Sequence, residues 1–260
     1  MRLLLSATLL FTFVGCSNIG KKMPKTLEEA ATSSLRTPEN TLRDQYRHPV
    51  ETLEFFGVKP NMTVIEVSPS RGWYTEILAP FLYEKGQYIM AEPETDPRGY
   101  TTPRTAWYAK YPHLEKKAKK VVFQAGTKID LGADNSADMV LTFRNTHNWL
   151  PTSNIEEAFK KFHKVLKPGG VLGVVEHRAN PKNKFDPKSG YMHEKEIIRI
   201  AQKAGFKLAA KSEINANPKD TTKHPNGVWS LPPSLRGGEK DKAKYQAIGE
   251  SDRMTLKFVK

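Results

Sequence analysis

Short apolar runs alternate with helix-length segments along most of this chain, and that alternation restricts its fold more than any other feature of the sequence. Met62–Val67, Gln87–Glu92, Val121–Gln124, Ala137–Phe143, Val171–Glu176, Phe206–Ile214 and Thr255–Val259 read as seven strands. Ala137–Phe143 is almost continuously apolar, as a strand covered on both faces must be. Between the strands lie helical stretches: Thr41–Gly57, Trp73–Tyr83, residues 103–119, Ile155–Leu166 and Glu194–Ala204. The first carries Leu42, Tyr46, Val50, Leu53 and Phe56 on one stripe and breaks near His48-Pro49. Strands joined by helices imply an α/β, Rossmann-like, mostly parallel sheet with helices on both faces. The last two strands lack a helix between them and should add an antiparallel edge strand.

The amino terminus is a separate unit. Met1-Arg2, a mostly apolar stretch from Leu3 to Gly15, and Cys16 follow the order of a secretory signal. The stretch is shorter than the roughly 20 residues that cross a bilayer. Val14-Gly15-Cys16-Ser17 resembles a bacterial lipobox, which implies removal of residues 1–15 and lipidation of Cys16, the only cysteine. An uncleaved signal anchor, or an ordinary signal whose cysteine is incidental, is the alternative. Residues 16–40 then read as a lipidated cysteine and flexible tether, and 41–260 as the domain. Within it, residues 215–252 are rich in turn formers and read as an irregular insertion or flap, ordered by Trp229. The expected location is the bacterial cell envelope, facing the periplasm or the cell surface, with the membrane reached through the lipid anchor.

A mean hydropathy of -0.57 excludes a polytopic membrane protein. The 41 basic residues exceed the 28 acidic ones, giving a formal charge of +13 that favours anionic partners. The lysines are scattered, with no arginine-rich cluster or nucleic-acid motif, so nucleic acid is not the expected partner. With a single cysteine there is neither an intrachain disulfide nor a cysteine-based zinc site.

Three segments together resemble the class I S-adenosylmethionine-dependent methyltransferases: Val64-Ile65-Glu66-Val67-Ser68-Pro69-Ser70-Arg71-Gly72-Trp73-Tyr74, Ala137-Asp138-Met139-Val140-Leu141, and Val165-Leu166-Lys167-Pro168-Gly169-Gly170-Val171-Leu172. Gly72–Pro80 is similar, more narrowly, to a group of predicted exported methyltransferases. The resemblance implies a seven-stranded methyltransferase sheet and S-adenosylmethionine as cofactor. It implies that Glu66, Ser68, Ser70 and Gly72 form the first cofactor loop, with serines standing where the family has glycines. Serine is bulkier and less free at positive φ. Glu92, ending the second strand, would hold the ribose hydroxyls, or is a solvent-facing acid beside Glu94 and Asp96. Gln124 and Gly126 would lie near the adenine.

Arg144-Asn145-Thr146-His147-Asn148-Trp149 follows the fourth expected strand, at an edge that borders cofactor and substrate in this fold. His147 is a candidate general base, Asn145 a cofactor ligand, and Arg144 and Trp149 substrate contacts; a capped loop with a core tryptophan is the alternative. His177, at the end of the fifth strand, would face His147 as a second catalytic candidate, while Tyr191 and Trp229 would complete the substrate side. His147, Glu176, His177 and His193 lack a diagnostic ligand spacing, and no metal is expected. His163 reads as structural. The resulting expectation is a methyltransferase acting on a small molecule or envelope component. The alternative is a non-catalytic exported binding lipoprotein that keeps the fold.

Overall fold

The computed structural model describes residues 22–150 and 155–260. In chain order, helices α1 Leu27–Ala31, α2 Pro38–Thr41, α3 Asp44–Arg47 and α4 Pro49–Phe56 precede strand β1 Thr63–Val67. Then follow α5 Thr75–Phe81, β2 Gln87–Glu92, α6 Thr102–Lys110, α7 Pro112–Lys117, β3 Lys119–Gln124, β4 Lys128–Asp130 and β5 Ala137–Phe143. The rest is α8 Thr146–Trp149, α9 Ile155–Val165, β6 Leu166–His177, α10 Glu194–Lys203, β7 Lys207–Ser212, α11 Lys242–Ile248 and β8 Arg253–Val259. A single sheet runs β4-β3-β2-β1-β5-β6-β8-β7, with β4 and β8 antiparallel to their neighbours.

Among the described residues the expected α/β architecture is present with eight strands rather than seven. The extra one, β4, is three residues long and folds back on β3 through a turn at Gly126, whose φ is 93°. Lys128-Ile129-Asp130 has no apolar run to announce it. The expected helix over 103–119 is divided at Pro112, since a proline disfavours helical backbone in the residue before it. The break at His48 is present too, with His48 at a left-handed φ of 39° before Pro49. Leu42 leaves the expected buried stripe and is 70% exposed, because α2 ends at Thr41.

The tether expected over 16–40 is corrected for the residues described. Met23, Leu27, Ala30 and Leu35 are buried in the same cluster as Phe56, Ile77 and Trp107. Thr26 caps α1 by accepting from the Glu29 amide, and Trp107 Nε1 donates to the Leu35 carbonyl at 2.6 Å. A five-residue helix displays too little periodicity to be read as amphipathic. Residues 1–21, with the signal sequence and Cys16, lie outside the described residues. Among the described residues no helix is long and apolar enough to cross a membrane.

Two apolar layers hold the sheet. One packs α1, α4 and α5 on one face; the other packs α9 and α10 on the opposite face. Gly173 of β6 lets Phe56 reach the sheet, since a Cβ there would lie 2.9 Å from that ring and 2.6 Å from Leu141. Between β1 and its two parallel neighbours, β2 and β5, the chain reverses its direction of travel across the sheet. In open α/β sheets such a switch point opens a crevice at the carboxyl ends of the strands.

Candidate functional site

At the end of β1 the chain makes a loop in which every second residue is left-handed: Ser68 at φ 52°, Ser70 at 50° and Gly72 at 85°. Glycine adopts this backbone freely, whereas an L-residue pays roughly 1–2 kcal/mol. The serines hold it because the loop is tied from both sides. The Ser68 amide donates to the Ala91 carbonyl at 2.7 Å, and Asn145 Nδ2 donates to the Val67 carbonyl at 2.9 Å. Asn145 therefore acts on the loop, bracing it from the start of α8.

Glu66 lies beneath the loop rather than at its surface. It accepts from the Tyr88 hydroxyl, which in turn lies 2.8 Å from Thr75 Oγ1. Burial pushes its carboxyl up to about 7, against the lowering effect of the Tyr88 hydrogen bond and the Arg104 charge. Glu92 stands at the end of β2 as expected, but Arg104 of α6 hydrogen-bonds and ion-pairs with it. The same arginine lies across the loop: a Cβ on Gly72 would sit 2.8 Å from its Cγ. Gln124 is exposed beside the β3–β4 turn.

Beyond β5 and β6 lies a second group. His147 Nδ1 is 3.0 Å from Glu176 Oε1, and the two imidazole rings of His147 and His177 have centroids 5.3 Å apart. Glu176 is fully buried and accepts from four donors: Thr146 Oγ1, the His147 and His177 amides, and His147 Nδ1. Burial alone would raise its pKa, but His147 and these hydrogen bonds hold it below the usual carboxylate range. An ionised carboxylate only accepts. Nδ1 of His147 is therefore the donor in this pair, which leaves Nε2 to carry the lone pair whenever the ring is neutral. His177 Nδ1 pairs with Ser251 Oγ at 2.5 Å. Burial, then His147, Arg144, Arg253 and Arg47, keep its pKa well below that of free histidine, so this ring stays neutral.

His147, Glu176 and His177 thus meet, with candidate ligand atoms within 4.8 Å of one another. His193 does not join them; it precedes α10 with its ring near Phe185. With four donors on its two oxygens, Glu176 serves as the anchor of His147 rather than as an open metal ligand.

The flap expected over 215–252 covers this group in an ordered form. Trp229, in a 3₁₀ turn at Gly227–Ser230, places its ring 6.0 Å from that of His147. Tyr191 donates its hydroxyl to Asp220, which also accepts from the Thr222 and Asp252 amides and pins the flap's base. Trp149 sits in the core between Phe123 and Phe162, the second of the two readings open for it. Arg144, left-handed at φ 60°, donates its amide to the Val175 carbonyl at 2.7 Å. Sequence reasoning missed Arg104, Ser251, and the orienting part of Glu176. None carries a motif; each is defined by its partner.

A protein-family profile for a methyltransferase domain matches residues 105–174, from α6 into β6. A crystal structure of a SAM-dependent methyltransferase from Aquifex aeolicus superposes with a TM-score of 0.58 at 19% identity, over 86% of this chain and 94% of that one. The fold is that of the S-adenosylmethionine-dependent methyltransferases. Another neighbour, a putative sarcosine dimethylglycine methyltransferase from Galdieria sulphuraria, gives a TM-score of 0.57 at 12% identity, covering 85% of each chain. The [4+2]-cyclase SpnF shares the methyltransferase fold as well, with a TM-score of 0.57 at 15% identity over 85% of this chain and 80% of that one. The sequence matches none of the curated proteins compared with it. The profile match begins after the serine-bearing loop, which lies outside it.

Proposed function

We propose that this protein is an S-adenosylmethionine-dependent methyltransferase acting on a small-molecule or envelope acceptor. One observation carries the reading: the loop after β1 takes up at Ser68, Ser70 and Gly72 the alternating left-handed backbone that glycines would give. That backbone lets a ligand approach the main chain closely at the switch point. The residues fit the cofactor, provided Arg104 releases Glu92. Glu92 would then accept from the ribose hydroxyls, while Ser68, Ser70 and Gly72 form the cradle and Asn145 keeps it in place.

When bound, S-adenosylmethionine supplies an electrophilic methyl group, leaving the protein to position the acceptor and remove its proton. His147 takes that proton on Nε2. Glu176 holds Nδ1–H and stabilises the imidazolium that forms. His177, neutral, and Trp229 both stand against the His147 ring and wall the site. Arg144 lies on the same side, where it meets the acceptor rather than the cofactor.

Calorimetric titration of S-adenosylmethionine and S-adenosylhomocysteine into the purified protein tests the reading. Binding that is lost in Glu92→Ala supports it. The absence of heat or thermal shift up to millimolar ligand favours the second reading, a non-catalytic binding protein, for which the Arg104–Glu92 pair speaks. We further infer export and lipid anchoring at Cys16; Cys16→Ser should move the protein from the membrane to the soluble fraction.

A further inference from the structure

Three arginines converge on one carboxylate near the histidine pair, and a fourth borders them. Arg43 Nε and Arg47 Nε, from α3 and the turn before it, reach Glu250 at 2.6 and 3.2 Å, and Arg253 Nη2, from β8, reaches it at 2.5 Å. Arg144 borders the group and interacts electrostatically with Glu250, Arg253 and Arg43. Arg36 is not part of the excess, since Asp44 neutralises it in a bidentate pair. Burial, then the neighbouring arginine charges, pulls Arg47 well below the ordinary arginine range, while Arg144 is drawn down to about 10.

Several donors in the cluster are orphaned. Among the described residues, Arg43 Nη2, both Nη atoms of Arg47 and Arg253 Nε are buried without a hydrogen-bond partner. The Arg47 and Arg253 side chains are only 3% and 2% exposed. Arg43, Arg47 and Arg253 share the single charge of Glu250, and Arg47 also lies over the Trp73 ring at 4.7 Å, so the buried cluster keeps an excess of positive charge, which is costly in a protein interior. With Arg144 bordering the three, the fold is short of negative charge at that point. Arg47 and Arg253 are the buried members; Arg43, 22% exposed, and half-buried Arg144 lie nearer the surface.

The stretch Glu250-Ser251-Asp252-Arg253 joins this cluster to the base. Glu250 binds the arginines and Ser251 holds His177, whose ring stands against His147. An acid group held by the arginines therefore places the rest of its molecule beside His147.

We propose that Arg43, Arg47, Arg144 and Arg253 form a binding site for a dianionic oxyanion, of the phosphate-monoester class, carried by the acceptor. Only the word acceptor rests on the methyl-transfer reading. The cofactor also owns a carboxylate, but its sulfonium and ammonium leave S-adenosylmethionine with a net positive charge, which four guanidinium groups repel. A dianion neutralises the excess better than a monocarboxylate.

The probe is inorganic phosphate, titrated at constant ionic strength against chloride, with thermal unfolding and calorimetry as readouts. Saturating phosphate is expected to raise the midpoint by roughly 5–10 °C. Arg47→Met should weaken phosphate at least tenfold and leave the midpoint without phosphate unchanged or raised, because one of the charges in excess over Glu250 is gone while Arg43 and Arg253 still pair with it. A merely structural Arg47 predicts a lower midpoint and an intact phosphate response, which overturns the proposal. Should Arg47→Met fail to fold, the variant Arg144→Gln decides: a phosphate response equal to that of the unsubstituted protein refutes the site. Competition between phosphate and S-adenosylhomocysteine would assign the oxyanion to the cofactor and overturn the acceptor assignment. Phosphate binding without any cofactor binding would sink the methyl-transfer reading alone.

Discussion

Replacing Arg104 with alanine should make the protein bind S-adenosylhomocysteine more tightly and unfold more easily. The Arg104 and Glu92 side chains are 4% and 13% exposed, so their ion pair is largely shielded from water. A cofactor ribose must take Glu92 away from Arg104 and push the arginine off Gly72, which it covers closely. Hydrogen bonds to a charged group contribute about 1.5–3 kcal/mol. Removing the competitor should therefore tighten binding by roughly ten- to a hundredfold. Truncating one partner of a buried pair costs about 3–5 kcal/mol. The loss here should fall at or below the lower end, because Lys120 stands 4.0 Å from the other Glu92 oxygen. Calorimetric titration and thermal unfolding on the same samples give the two signs. Affinity that falls together with stability would refute the reasoning, for Arg104 would then belong to the cofactor site rather than compete with it.

Three further outcomes follow from the geometry. Glu66, whose folded pKa is raised from 4.5 to about 7, contributes stability below pH 4.5 that is lost as the pH rises through 7, by roughly 3 kcal/mol in all. Glu66→Gln should flatten that part of the stability curve, measured by denaturant unfolding from pH 4 to 8; an unchanged curve would count against it. Glu176→Gln should lower the rate of methyl transfer about 10²–10⁴-fold with little change in cofactor affinity, because His147 loses the charge that steadies its imidazolium. Gly173→Ala should destabilise the fold by about 1–3 kcal/mol through its contacts with Leu141 and Phe56, read as a lower denaturant midpoint.

The sheet was legible because its signal is local. A run such as Ala137–Phe143 fits few environments other than a strand covered on both faces, and its flanks contain enough chain for a helix. The places where the reading failed are those where local signal is weak. α1 has five residues, and β4 has three; their positions come from packing against Trp107 and from pairing with β3. The site was legible only in part for the same reason. His147 and His177 announce themselves by residue type and by their places after β5 and in β6. The arginine cluster does not, since Arg43 and Glu250 are 207 positions apart and nothing in either segment names the other.

The serines of the first loop make the distinction sharper. Read alone, Ser68 and Ser70 argue for a backbone that avoids positive φ, since each residue there carries a strain that glycine escapes. The loop nevertheless takes it up, because its conformation is set elsewhere. The Ala91 carbonyl at the end of β2 and the Asn145 amide beyond β5 fix the backbone at Val67 and Ser68 from opposite sides. Asn145 could be nominated from sequence as a cofactor ligand, but its partner in the fold is the loop's own main chain. Local strain maintained by neighbours on both sides is what a site under constraint looks like. Held in this way, the two serines keep at the mouth of the crevice the backbone that glycines would give.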